Sequence, residues 1–194
     1  MRWANGSAYG RHVMSVSPPE PQDRHDAAYR PCVGIALFNR NGLVFLGRRQ
    51  GIGDSMAQAH AWQMPQGGID EGEAPHDAAL RELYEETNVA AGSVILLGQT
   101  EGWLTYDLPP ELLKRSWQGR YRGQAQKWFA FGFTGSDDEI DIDHPAGGAH
   151  KPEFDAWRWE RLAATASLII PFKRSVYEIV VAEFAGHETW RAGA

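Results

Sequence analysis

The sequence predicts an α/β domain of the α+β kind, in which helices are layered on a sheet. Short apolar runs rich in β-branched and aromatic residues recur along the chain. Two further segments carry helical spacing, and turn residues punctuate the intervals between them. Val33–Phe38 is short, apolar and β-branched, and reads as a buried strand. Asn41-Gly42 is a two-residue hairpin signal, and Leu43–Leu46 is the return strand, ending in Arg48 and Arg49. Residues 50–61 form a loop rich in Gly, Ala and Met. Trp62–Met64 is a short strand, and Pro65–Gly68 turns the chain. Residues 75–88 form a helix, Ser93–Glu101 alternates as a strand, and Trp128–Phe133 and Asp155–Trp159 are two more strands. Val176–Phe184 has helical spacing and closes the fold. No internal repeat interrupts the series.

Composition narrows the function. The chain has 194 residues, 43% hydrophobic and 23% charged, enough to bury a core without disulfides. Its apolar runs fall well short of the ~18 residues a membrane helix needs, so no membrane partner is expected. A single cysteine, Cys32, excludes a disulfide framework and a cysteine-only zinc site, and fits a reducing cytoplasm. Acidic residues outnumber basic ones, 25 to 19, for a net charge of −6. A protein that grips DNA or other long nucleic acid by its phosphates carries a basic excess. Any polyanionic substrate must therefore be held by a local site with the help of a metal. Residues 1–28, with Pro18, Pro19 and Pro21 and no apolar period, read as an extension without a secretory signal. Met14 is an alternative start. The domain is expected over 29–186, followed by a short tail at 187–194.

The chemistry concentrates in residues 67–89. Pro75 suits a first helical position, and Asp77 in the first turn favours the helix dipole. Ala79, Leu80, Leu83, Tyr84 and Thr87 share one side of the helix and can face a core. Ala78, Glu82, Glu85 and Glu86 share the opposite side. The three glutamates are neighbours at i, i+3 and i+4, which destabilises a helix unless something offsets their repulsion. A Gly-rich turn precedes the helix and lets backbone approach a ligand closely. Glu73 before the helix and Arg81 within it can pair and fix the loop. Three carboxylates held together call for a divalent cation; hard oxygen donors specify magnesium, with manganese as a substitute.

This segment resembles the Nudix box, G-x5-E-x7-R-E-U-x-E-E-x-G-U, where U is aliphatic. Gly67, Glu73, Arg81, Glu82, Leu83, Glu85, Glu86 and Val89 fill their places. Asn88 replaces a glycine that ends the helix in a left-handed conformation, and Asn is the next best residue there. Six specified Gly, Glu and Arg positions match by chance once in ~10⁷ windows. The resemblance runs over residues 29–184, through Tyr29–Pro31, Trp62–Gly68, Trp103–Pro109, Gly123–Phe129, Glu153–Trp157 and Pro171–Arg174. It points to a branch holding RNA pyrophosphohydrolases and dinucleoside polyphosphate hydrolases. The 50–61 loop is similar to that of the dinucleotide enzymes.

The resemblance implies an α/β/α sandwich around a mixed sheet. It also implies magnesium-dependent attack of water on a polyphosphate chain, either of a dinucleoside polyphosphate or of an RNA 5′ end. Glu82, Glu85, Glu86 and Glu153 would hold metal, and a box glutamate or Glu153 would take the proton. Lys127 is the leading candidate for a phosphate contact, and Arg30, Arg49 and Lys173 are expected at phosphate or nucleotide. Phe172, with Ile170 opposite, and Tyr106 would line the base. Two other classes compete with hydrolysis. Isomerases carrying the same box have different flanking motifs, and non-catalytic nucleotide-sensing modules lose box glutamates that are all present here.

Overall fold

A computed structural model describes residues 29–51, 60–113 and 120–191. The expected extension at 1–28, most of the 50–61 loop and the last three residues of the expected tail lie outside that range. Eight strands form one mixed sheet: β1 (Tyr29–Phe38), β2 (Val44–Arg49), β3 (Trp62–Gln63), β4 (Gln66–Gly68), β5 (Val94–Gln99), β6 (Leu104–Asp107), β7 (Gly123–Phe133) and β8 (Phe154–Glu160). Two long helices, α1 (Pro75–Thr87) and α2 (Arg174–Phe184), cover its faces.

β1 and β7 run parallel at the centre over ten residue pairs, from Tyr29↔Gly123 to Phe38↔Gly132. A strand covered on both faces reads as one continuous apolar run, and this is why Val33–Phe38 shows no alternation. Val33, Ile35 and Leu37 point to a core completed by Ala78, Ala79 and Leu83 of α1 and by Phe129 and Phe131. Ala36 and Phe38 point to the opposite core, with Trp128 and with Val176, Tyr177, Val180 and Phe184 of α2. The architecture is the expected α/β/α sandwich.

Several local readings change. The β1–β2 hairpin has a three-residue loop, closed by Asn39 N–H to Leu43 carbonyl at 2.8 Å, with Gly42 at φ +77°. The Asn39 side chain accepts from the Asn41 and Leu43 N–H groups and so favours the longer turn. β1 begins four residues earlier than expected and β7 five, because each extends the other's ladder. Leu104–Asp107, read only as part of a motif, is a strand on β7. Ser93 belongs to a 3₁₀ turn, and β5 starts after it.

Residues 65–68 do more than turn the chain. β1 and β2 pair only at Phe38↔Val44 and then diverge. The opening is filled by the next segment: Trp62 and Gln63 add to β2, while Gln66–Gly68 add to β1. The sheet therefore splits at the end where the box lies.

Helix α1 also sits differently from its helical-wheel reading. Its buried residues are Ala78, Ala79, Leu83, Glu86 and Thr87, and Tyr84 is exposed. The buried stripe is rotated toward the acidic side, so one box glutamate is drawn under the sheet edge. Asn88 ends the helix at φ 65°, with its N–H on the Tyr84 carbonyl. Residues 187–191, expected as tail, pack on the fold: the His187 ring lies 6.3 Å from that of Phe38, and Trp190 covers Gly132.

Asn88→Ala should lower stability by about 1–2 kcal/mol, the cost of a left-handed residue with a plain Cβ. Asn88→Gly keeps the turn and should recover most of that loss. Urea unfolding of the two variants checks the ordering.

Candidate active site

The box is organised by one side chain. Arg81 uses all five guanidinium donors. Nε and one Nη donate to the two oxygens of Glu73, each at 2.8 Å. That same Nη donates to the Gly68 carbonyl at 2.8 Å. The other Nη reaches Glu82 at 2.9 Å and Glu85 at 3.1 Å. The predicted Glu73–Arg81 pair is thus bidentate, and it ties the loop to the helix. Arg81 holds the Glu73 carboxyl down at about 2, assisted by the Asp70 N–H.

Gly67 has a separate role. A Cβ there would fall on the Glu82 carboxylate, so only glycine lets β4 lie against the acidic helix. Glu86 is 8% exposed and accepts the Gln66 N–H at 3.2 Å. Burial, with the charges of Glu153 and Glu82, pushes its pKa well above the ordinary carboxylate range. Burial also raises Glu82, opposed by Arg81. Glu153 approaches from the loop before β8. It is paired with Arg49 at 3.0 Å, and its carbonyl accepts the Gln50 N–H. A register shift between Arg48 and Arg49 in the β2–β8 ladder re-aims Arg49 toward the site.

Beside these carboxylates opens a cleft of about 550 Å³. Arg30, Arg49, Glu153, Tyr106, Phe172 and Lys173 line it, joined by Ile170, Gln66, Gly67, Gln124, Leu108 and Leu112. The Tyr106 and Phe172 rings lie 5.6 Å apart and form one aromatic wall. Lys173 is buried, with Nζ 5.5 Å from the Tyr106 ring centroid. Burial, then the neighbouring Arg49 charge, lowers its pKa to about 7. Lys173 thus lines the cleft, and Glu86 is buried next to it, bonded to the backbone N–H of the lining residue Gln66; buried groups displaced in this way mark functional sites.

The structure therefore brings together Gly67, Glu73, Arg81, Glu82, Glu85, Glu86 and Glu153, and sets Arg30, Arg49, Tyr106, Phe172 and Lys173 around the adjoining cleft. Lys127 stands apart. It does not line the cleft, and its Nζ donates to the carbonyls of Thr100 and Glu101. Sequence reasoning missed Gln66 and Gln124 as cleft residues, because one sat in an assumed turn and the other ahead of the assumed strand. It also missed His150, whose Nδ1 lies 3.7 Å from Glu85.

Among the described residues no three His, Cys, Asp or Glu side chains converge as a finished metal cage. The donor set nonetheless fits a hard divalent cation. Arg81 takes one oxygen of Glu82 and one of Glu85, and the Gln66 N–H takes one of Glu86. Glu86 is crowded by like charge, a state that a cation relieves. Magnesium binds through few carboxylates and completes its shell with water and substrate phosphates, so a finished cage is not needed.

Comparison with known proteins agrees with this geometry. The NUDIX domain family matches residues 28–180. The chain is 59% identical over 159 residues to an RNA pyrophosphohydrolase of Azorhizobium caulinodans, covering 82% of this chain and 94% of that protein. It is 59% identical over 160 residues to one from Bradyrhizobium sp., with the same coverage. Among solved structures, the E. coli dihydroneopterin triphosphate pyrophosphohydrolase has a TM-score of 0.58 at 20% identity, covering 80% of this chain and 99% of that one. A C. elegans Ap4A hydrolase complex has a TM-score of 0.53 at 18% identity, covering 80% and 98%; both likenesses concern the fold. The chain belongs to the Nudix family and is a Nudix hydrolase, an enzyme of a family that generally uses divalent metal ions.

Glu73→Gln should cost about 2 kcal/mol of stability near neutral pH, since it breaks a charge-assisted bidentate bond. The folded value of Glu73, about 2, lies below its ordinary 4.5. Its contribution is therefore complete above pH 4.5 and is lost as pH falls toward 2. Denaturant unfolding of both proteins between pH 7 and pH 3 should show the gap closing on acidification.

Proposed function

We propose that the protein hydrolyses the polyphosphate chain at the 5′ end of RNA in the cytoplasm, with magnesium as its cation and manganese as a substitute. The observation that carries this reading is the adjacency of the Glu82–Glu86–Glu153 carboxylates to a cleft with three cations and a single aromatic wall. The names of the relatives at 59% identity support RNA as the substrate.

Glu82, Glu85, Glu86 and Glu153 would hold the cation, which when bound neutralises phosphate charge and lowers the pKa of the attacking water. Arg81 keeps Glu82 and Glu85 in place, and Glu73 keeps Arg81 in place. Arg30, Arg49 and Lys173 receive the phosphates. The terminal base stacks on Phe172 and Tyr106, with Ile170 closing the other side; such stacking contributes about 1–3 kcal/mol per base. A carboxylate of the cluster takes the proton from water as its oxygen bonds to phosphorus and the phosphoanhydride P–O bond breaks, so that phosphate or pyrophosphate leaves and the RNA keeps a 5′-monophosphate. Dinucleoside polyphosphates are the competing substrate class, and they would present a second base to a cleft with one aromatic wall.

Glu86→Gln should reduce kcat/KM by about 10³-fold or more, while the fold survives, because it removes a buried charge. Chelation should abolish turnover of the wild type, and magnesium should restore it. The substrate test compares kcat/KM for a short 5′-triphosphorylated RNA and for diadenosine tetraphosphate, with product identification. An advantage for RNA, leaving a 5′-monophosphate, is expected. An advantage for the dinucleotide, releasing ATP, would overturn the RNA assignment.

A further inference from the structure

Behind the cleft lies a hydrogen-bonded chain of three glutamines. Its direction is set by one group that can only donate, the indole N–H of Trp128. That N–H donates to Gln126 Oε1 at 3.1 Å. Trp128 and Gln126 are both fully buried. With its oxygen engaged, Gln126 must present its NH₂ elsewhere. Both N–H bonds are used: Nε2 donates to Gln124 Oε1 at 3.0 Å and to Gln66 Oε1 at 3.1 Å. The Tyr106 hydroxyl donates to the same Gln124 oxygen at 2.6 Å. Each link leaves the next no choice. Because their oxygens are turned inward, Gln66 and Gln124 both carry their NH₂ groups on the outer side, and both residues line the cleft.

We propose that Gln126 is a positioning residue that turns the Gln66 and Gln124 amides with their N–H bonds toward the substrate, making the cleft wall a pair of neutral donors selective for acceptor oxygens. The proposal rests on the reading of the cleft as a polyphosphate and nucleotide site. Gln66 stands next to Glu86, which accepts its backbone N–H, so it offers its amide from the part of the wall nearest the carboxylates. Gln124 is tied to Tyr106, so its amide faces the base or ribose end. A fully buried glutamine is costly where Leu or Met would fill the space, unless every polar atom is satisfied. Here each one is, and only the two outward NH₂ groups remain for a ligand.

Gln126→Glu keeps the shape and reverses the polarity. A carboxylate accepts from Trp128 but cannot donate to both neighbours, so Gln66 and Gln124 must rotate and turn oxygen toward the substrate. With the short 5′-triphosphorylated RNA, KM should rise about tenfold while kcat changes less than about threefold. In a background carrying Gln66→Leu and Gln124→Leu, the same substitution should have almost no further effect on KM, because the amides it acts through are gone. An unchanged KM in folded Gln126→Glu protein would overturn the proposal, as would an equal rise in both backgrounds. If Gln126→Glu does not fold, Gln124→Glu makes the same inversion at the cleft edge; it should raise KM similarly, and no rise would overturn the proposal. If the wild type turns over neither RNA nor diadenosine tetraphosphate, it is the functional reading that fails. The amide pair is then read by ADP binding, expected to weaken about tenfold in Gln126→Glu; equal affinity would overturn it.

Discussion

The site depends on a single guanidinium. Helix α1 carries three glutamates within one turn, and left alone they would repel one another and fray it. Arg81 stands among them and donates to Glu82 and Glu85 directly. It is itself gripped by both oxygens of Glu73 and by the Gly68 carbonyl. A planar fork of five donors is the only side chain that can do this, since lysine offers three donors from one point. The loop, β4 and the helix are thereby locked to one another, and the acidic side faces the sheet opening. Gly67 matters for the same reason: it lets β4 approach the helix until backbone touches carboxylate.

That lock is useful because the sheet is split. β1 and β2 separate after one residue pair, and residues 62–68 bridge the gap by pairing first with one strand and then with the other. The cleft forms beside this seam. Glu86 and Lys173 are buried near it with pKa values displaced in opposite directions, both chiefly by loss of water. Burial thus keeps a carboxylate and an amine from water beside one opening.

Much of the site was legible in the sequence because its spacing is local. The helix, its left-handed end at Asn88, the Glu73–Arg81 pair and the grouping of the box glutamates all follow from residues within one short segment. The hairpin residue Gly42 and the core strand Val33–Phe38 were likewise visible from local pattern. What failed was whatever a partner strand supplies. β4 looked like a turn because its three residues pair only with β1, far back in the chain. β6 was read only as part of a motif, because only β7 makes it a strand. Lys127, expected at phosphate, donates to the carbonyls that follow β5 and lies outside the cleft lining.

The sequence by itself determined the local chemistry of the box, which is hard oxygen donors with an arginine to hold them, and a layered fold to carry it; by resemblance it also pointed to cations and aromatics around the cleft. The donors and the arginine follow from residue type and near-neighbour spacing, which the chain encodes directly; the cations and aromatics came from the family resemblance. Tertiary structure alone decided which glutamate is buried, which cations reach the cleft and which way three glutamine amides point. Those properties depend on burial and on hydrogen bonds between strands distant in sequence, and such contacts exist only once the sheet has closed.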